Sequence, residues 1–290
     1  MIRYATVMDI PDIKKIWDQS FEDPLSYVDF LYDRVLSPND TLVYEEDGQI
    51  WSMAMSIYCS FRYRDDSIPC VYIYGCATVP DRSGRGIMTQ MLQVAETNAV
   101  AEGCQMAILV PGNRSLFRFY GTRGYSPDFS LRKVKLRSGM LSTVTRPETP
   151  IEYDRISAAQ FYEIREKALY EIPHIEWKQN QLDFIAADAL AYGDHIASYS
   201  GASGSAYALY SKKKKVMYIR ELFGTSDESA TALLAGLVDE QNPRRATLDL
   251  PIGGGILPVE GDNVIYGMSK SFKTAKKLSS LEPYMNLMLD

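Results

Sequence analysis

Between Val79 and Met88 the chain places two arginines and two glycines in ten residues: Val79-Pro80-Asp81-Arg82-Ser83-Gly84-Arg85-Gly86-Ile87-Met88. A strand-like run, Val71 to Val79, leads into this loop. A segment with Met88, Met91, Leu92, Ala95 and Ala99 at helical spacing leads out of it. Strand, basic glycine loop and helix start form an arrangement suited to phosphate. The first turn of a helix has unpaired backbone N–H groups and a partial positive charge, so an anion docks there. Gly84 and Gly86 lack a Cβ, which lets the backbone turn tightly and approach a ligand. Taken alone, the loop reads first as a tight turn that holds nothing. It is not the three-glycine dinucleotide fingerprint, and no Lys-Ser/Thr pair closes it as in a Walker loop.

Other residues with chemical potential are sparse. Tyr120, in Leu116-Phe117-Arg118-Phe119-Tyr120, carries a phenol able to donate a proton, although a tyrosine in such a stripe reads first as core packing. His174 and His195 both lie in the second half and read first as structural or exposed. Cys76 has no histidine near it in sequence, so a cysteine nucleophile is not expected. Tyr72 and Tyr74 alternate with Val71 and Ile73; they either line a groove or pack a strand. Lys212-Lys213-Lys214-Lys215 reads as a solvated hairpin turn, and Gly253-Gly254-Gly255, which opens no helix, as a flexible loop.

The elements that must position these groups follow from periodicity. Ile2 to Ala5 is a short strand. Asp9 and Pro11 start one helix and Pro24 a second. Asp47-Gly48 joins strands Thr41–Glu46 and Ile50–Phe61 as a hairpin. After the loop and its helix, which ends at Glu102-Gly103, Met106–Val110 is apolar throughout and reads as a strand buried on both faces. A short helix within Asn113–Arg123 and strands around Tyr125 and Leu131–Leu136 complete this half. The second half is expected to give a strand at Ile151–Ile156, a helix capped by Ser157 and a helix near Ile175–Ala187. Strands Ile196–Tyr199, Ser205–Tyr210 and Val216–Leu222 follow, then helix Asp227–Asp239, strand Ala246–Leu250 and a terminal apolar run at Leu287-Met288-Leu289-Asp290.

That order repeats the first half. Ile219–Phe223 lies on Ile73–Ala77 and Leu248–Pro251 on Ile108–Pro111, with a shortfall of about six residues where the glycine loop would be. Gly224-Thr225-Ser226-Asp227-Glu228 stands there instead, without arginine and with acids at the helix start. The second half reads as a copy unable to hold a phosphate chain.

Length and composition agree with two domains of about 140 residues in the 290-residue chain. The net charge of −6 argues against a nucleic-acid partner and mildly favours cationic small molecules or peptides. Four cysteines without C-x-x-C spacing predict neither a disulfide framework nor a metal site. No signal-peptide core opens the chain, and no apolar run nears the about 20 residues of a membrane span, so a cytoplasmic protein is expected.

Two stretches resemble the GCN5-related N-acetyltransferase (GNAT) superfamily. Thr78 to Met88 is similar to its V-x-P-x-x-R-x-x-G-x-G/A pyrophosphate motif. Asn113 to Tyr125 is similar to its N-x-x-A-x-x-x-Y-x-x-x-G-F/Y element. The departures are Ser83 at the Arg/Gln position and Met88 at the last Gly/Ala position; Arg82 or Arg85 could supply the missing charge. Met in Gly86-Ile87-Met88 resembles the branch around the Eis acetyltransferases, which carry a degenerate second GNAT fold. Their third, sterol-carrier-like domain has no counterpart in this sequence.

The resemblance implies an α+β protein of two tandem GNAT-like domains, each a mixed, mostly antiparallel sheet flanked by helices. An acetyl-CoA-binding domain is expected over 1–137, a linker over 138–150 and a degenerate domain shaping the acceptor site over 151–290. It implies acetyl transfer from acetyl-CoA to a primary amine by direct attack, the acceptor being polyamine- or aminoglycoside-like or a peptide amine. Tyr120 would be the general acid, and the chain-terminal carboxylate of Asp290 would be the base. Cys76, Ala77, Thr78, Ser83, Gly84, Arg85, Gly86, Ile87, Met88, Asn113, Leu116 and Tyr120 would hold the co-substrate. The alternatives are a non-catalytic acyl-CoA sensor and another tandem-GNAT enzyme, mycothiol-synthase-like or aminoacyl-transferring. Homo-oligomerisation is left open.

Overall fold

The computed structural model describes residues 1–137, 139–253, 257, 260–273 and 278–287, the side chains of 278 and 279 excepted. Asp290, Ser138 of the expected linker and Gly254 and Gly255 of the triglycine lie outside the described residues. The chain divides into two units. The first comprises Met1–Phe61, Ser67–Pro127 and Gly267–Lys276; the second comprises Arg62–Asp66, Asp128–Tyr266 and Lys277–Asp290.

The first unit opens with β1 (Ile2–Tyr4). Pro11 lies in the first turn of α1 (Ile10–Ser20), where its missing N–H would have had no helical partner. This helix buries Ile13, Ile16 and Trp17, and α2 (Leu25–Arg34) buries Tyr27, Val28 and Leu31. Asp47 and Gly48, both at positive φ, make the tight turn between β2 (Thr41–Glu46) and β3 (Gln49–Tyr63). A second turn leads into β4 (Asp66–Thr78). Then come α3 (Ile87–Ala101), β5 (Met106–Leu109) and α4 (Arg114–Gly121). The strands lie in the order β1-β2-β3-β4-β5. The β1–β2 and β2–β3 pairs are antiparallel and the β4–β5 pair is parallel. Met91, Leu92, Ala95 and Ala99 of α3 join Val71, Ile73, Ala107 and Leu109 of the sheet in one buried cluster, which also takes in Tyr120. Each large apolar side chain so buried contributes about 1.5–3 kcal/mol.

The second unit contains β6 (Ser126–Leu136), β7 (Glu152–Tyr153), α5 (Ala158–Leu169), β8 (His174–Glu176), α6 (Gln179–Ala191), β9 (His195–Gly201), β10 (Gly204–Lys213), β11 (Val216–Gly224), α7 (Asp227–Gln241) and β12 (Arg245–Leu250). Its strand order is β6-β12-β11-β10-β9-β7. Around Glu221 a polar cluster is closed off from water. The carboxylate accepts hydrogen bonds from Tyr207 (2.6 Å), Tyr284 (3.0 Å) and Arg165 Nε (3.3 Å), and Arg165 Nη1 donates to the Ile175 carbonyl. Arg165 and Glu221 are both fully buried and compensate each other's charge, with Glu166 as a second carboxylate 3.3 Å from Arg165 Nη1.

Four features differ from the sequence expectation. The strands near Tyr125 and Leu131 are one strand, β6, which runs antiparallel to β12 from Leu136↔Ala246 to Arg132↔Leu250 and therefore groups with the second unit. The helix expected from Ile175 begins at Gln179, because 174–176 form β8. The Ile151–Ile156 strand shortens to Glu152–Tyr153. A strand not expected at all, β13 (Asp262–Ser271), ends in the first unit, where Met268↔Leu109 to Ser271↔Met106 pairs it antiparallel with β5.

Candidate active site

β4 runs on past the end of its pairing with β5. The parallel register is Cys70↔Met106, Val71↔Ala107 and Tyr72↔Ile108, whereas β4 continues to Thr78. Gly75 marks the change: it sits within the strand at φ 56°, a left-handed conformation that only glycine adopts without penalty. On the other side the strand stays anchored to β3, with Ser52 Oγ donating to the Ala77 carbonyl (2.7 Å) and Val79 N–H to the Trp51 carbonyl (3.0 Å). The stretch Cys76–Thr78 therefore presents an edge on the β5 side.

The loop beyond β4 keeps its helix start uncovered. Gly84 (φ 76°) and Gly86 (φ 78°) are both left-handed, and a Cβ on either would meet nothing within 4 Å. Gly86 is the N-cap of α3, and no side chain caps this end. The amides of the first turn thus point out of the helix without a side-chain acceptor. The corresponding position of the second unit is closed. There β11 also leads through a short loop into a helix and a parallel strand, β12. The start of α7, however, is capped by Ser226, whose hydroxyl accepts from Ser229 N–H, and Asp227 and Glu228 occupy its first turn.

α4 forms the facing wall. Asn113 caps it, its side-chain oxygen accepting from the N–H groups of Ser115 (3.0 Å) and Leu116 (3.2 Å). Leu116, Phe119, Tyr120 and Arg123, spaced as one helical face, turn toward the loop. Together the β4 edge, the loop, the first turn of α3 and this face enclose a groove of about 450 Å³. It is lined by Cys76 and Thr78, by Arg82, Ser83, Gly84 and Gly86, by Ile87, Met88 and Thr89, by Leu116, Phe119 and Tyr120 of α4, and by Arg123 in the turn that follows it.

Tyr120 and Cys76 both line this groove, and each acts on the ionisation of the other. Burial pushes the Tyr120 hydroxyl well above the usual tyrosine range, and the neighbouring thiol adds to the effect. Burial also pushes the Cys76 thiol up, to about 12, with the Tyr120 hydrogen bond working against it. Both groups keep their protons at neutral pH. The tyrosine is therefore a donor, and the cysteine is no thiolate nucleophile.

Of the residues expected to hold a co-substrate, Cys76, Thr78, Ser83, Gly84, Gly86, Ile87, Met88, Leu116 and Tyr120 line the groove. Ala77 is buried in β4, Arg85 is exposed outside the lining, and Asn113 is engaged in capping α4. Asp290 lies outside the described residues. Thr89, Phe119 and Arg123 line the groove without having been expected. The i, i+3, i+4, i+7 spacing of Leu116, Phe119, Tyr120 and Arg123 is the signal in the sequence by which Phe119 and Arg123 could have been found. Tyr74 packs against Trp17 (ring centroids 5.8 Å) and Tyr27 (O···O 3.0 Å), and Tyr72 is buried, so both serve the interior. His174 is buried between the Ile172 carbonyl and Glu166, and His195 pairs with Asp154 at the surface.

Residues 1–127 match the model of the acetyltransferase (GNAT) domain family. No curated protein sequence matches the chain. Among solved structures, the chain is similar to a GCN5-related N-acetyltransferase from Kribbella flavida, with a TM-score of 0.73 at 16% identity over 93% of this chain and 70% of that one. Another GCN5-related N-acetyltransferase, from Anabaena variabilis, gives 0.74 at 13% over 97% and 74%. Eis1 from Mycobacterium abscessus gives 0.71 at 15% over 93% and 73%. At such identities the likeness is one of fold, and it extends over nearly the whole chain.

Proposed function

We propose, from the match of residues 1–127 to the acetyltransferase (GNAT) domain family, that the protein is an N-acetyltransferase carrying acetyl from acetyl-CoA to a primary amine. The observation that carries this reading is the groove itself. One continuous lining joins a helix start without a side-chain cap, an open strand edge and a buried, protonated tyrosine.

Acetyl-CoA is the acyl donor in this reading, a thioester joined through pantetheine to a diphosphate. The amides of Gly84–Met88 receive the diphosphate, the Ser83 N–H being held by the Pro80 carbonyl, and the dipole of α3 favours negative charge there. The β4 edge at Cys76–Thr78 offers a backbone N–H to the thioester oxygen as charge develops there. The amine nitrogen, already free of its ammonium proton, attacks the carbonyl carbon; the C–N bond forms, the C–S bond breaks, and the nitrogen releases its surplus proton to solvent. Tyr120 gives its proton to the departing sulfur and regains one from solvent. Its raised pKa suits this part, because the phenol stays protonated throughout the neutral range. No acyl group is passed to the enzyme, in keeping with a Cys76 thiol that does not ionise.

The test is release of free thiol from acetyl-CoA across a panel of amines and aminoglycosides, comparing wild type with Tyr120→Phe. Loss of a positioned acid should lower kcat about 10²- to 10⁴-fold while acetyl-CoA affinity changes little. An unchanged kcat would remove Tyr120 from the mechanism. Tight binding with no thiol release for any amine would favour an acyl-CoA sensor.

A further inference from the structure

The family motif has an arginine where this loop has Ser83, so some other group must meet the charge of the diphosphate. Three guanidinium groups stand near the loop, and their surroundings differ. Arg82 is paired with Glu46 at 2.7 Å and lies over the Trp51 ring at 4.4 Å, so its charge is already answered. Arg85 is exposed and outside the groove lining. Arg123 lines the groove from the opposite wall.

Among the described residues Arg123 has no carboxylate partner. It donates only to uncharged oxygens: Nε (3.0 Å) and Nη2 (2.5 Å) to Thr89 Oγ1, and Nη1 to the Phe119 carbonyl (2.6 Å) and Thr122 Oγ1 (3.0 Å). Its guanidinium lies 3.5 Å from the centre of the Phe119 ring, which fixes the plane of the fork. Thr89 is the third residue of α3, so the cation is held against the helix end that already carries partial positive charge. Two positive features side by side, with no acid between them, repel each other until an anion sits at both. A planar fork with a single Nη2 acceptor among the described residues suits a phosphate oxygen.

We propose that Arg123 binds the diphosphate of the co-substrate together with the α3 amides, and so replaces the arginine absent at Ser83. This rests on the reading of the groove as an acetyl-CoA site. It adds a residue from a different element, and it makes the α4 wall part of the anion site rather than of the thioester end alone.

Calorimetric titration of CoA and of 3′-dephospho-CoA into wild type, Arg123→Gln and Arg123→Lys tests the assignment. Arg123→Gln should weaken both ligands by the same factor, about 10- to 100-fold for a lost charge-assisted hydrogen bond. Arg123→Lys keeps the charge but not the fork and should fall between. It also carries the test if the glutamine variant does not fold. An unchanged Kd in both variants overturns the proposal while leaving the groove reading intact. A loss seen with CoA but absent with 3′-dephospho-CoA also overturns it, since Arg123 would then face the 3′-phosphate. Wild type that binds neither ligand would instead remove the groove reading itself.

Discussion

Gly75 is the point at which backbone conformation and the open strand edge are tied together, and Gly75→Ala should damage both. An L-residue at φ 56° costs about 1–2 kcal/mol. The added Cβ would lie 3.1 Å from Met55 Sδ and 3.1 Å from Trp17 Cζ3. Met55 is flexible and can yield. Trp17 cannot, because it is 1% exposed and wedged against Phe21, Tyr27 and Tyr74 with ring centroids at 4.4, 5.5 and 5.8 Å. Overpacking of this kind adds about 1–3 kcal/mol, so a loss of about 3 kcal/mol is expected. Urea unfolding followed by tryptophan fluorescence would read it, since Trp17 and Trp51 both lie in the first unit. With a slope of about 2 kcal/mol/M, the midpoint of that unit should fall by about 1.5 M. If β4 relieves the strain by flattening, its pairing with β5 extends beyond Tyr72, the groove narrows and CoA affinity drops. A Gly75→Ala protein within about 0.5 kcal/mol of wild type, binding CoA equally well, would refute the reasoning.

Three further perturbations address other parts of the molecule. Glu221→Gln removes the fully buried one of the two carboxylates beside the Arg165 guanidinium, leaving Glu166 at 3.3 Å, and should destabilise the second unit by about 3 kcal/mol, the low end for a broken buried pair, measured as a lowered melting temperature; a neutral result would show that Glu166 alone compensates Arg165. Asn113→Ala removes the cap of the eight-residue α4 and should cost about 1 kcal/mol, with faster amide exchange at Ser115 and Leu116 as its local signature. Burial raises Tyr120, Tyr125, Tyr207 and Tyr284 above the ordinary tyrosine value of 10.0. The folded state therefore stays neutral at these positions while the unfolded chain ionises. Their contribution is fully present below pH 10 and is lost above it, by up to about 1.4 kcal/mol per pH unit for each tyrosine. Melting temperature should be flat from pH 7 to 9 in this respect and fall steeply beyond 10; constancy to pH 11 would contradict the burial of these phenols.

Local chemistry made the strand, glycine loop and helix start around residues 79–88 legible in the sequence. Gly84 and Gly86 have to turn, Pro80 has to end a strand, and the Met88–Ala99 stripe has to be a helix face. The apolar Met106–Leu109 run announced a buried strand for the same reason. What stayed hidden depends on partners far away in sequence. β13 is Asp262-Asn263-Val264-Ile265-Tyr266-Gly267-Met268-Ser269-Lys270-Ser271, a weakly patterned stretch whose strand character comes from pairing with β5 more than 150 positions earlier. β6 looked like the end of the first half, and only its register with β12 assigns it to the second unit. Arg123 stands in the sequence only as the residue before Gly124. The role proposed for it rests on Thr89 and Phe119 beside it and on the lack of a carboxylate partner among the described residues, and none of these is visible along the chain.

The central claim is that main-chain amides from Gly84 to Met88 grip the diphosphate. Amide hydrogen exchange of the wild-type protein, with and without saturating CoA, tests it most directly. Exchange at residues 84–88 should slow strongly on CoA binding, with Tyr120 to Arg123 slowing alongside, because a bound anion gives those N–H groups the acceptor that α3 lacks. CoA binding that protects amides elsewhere and leaves 84–88 exchanging at the free rate would contradict the account.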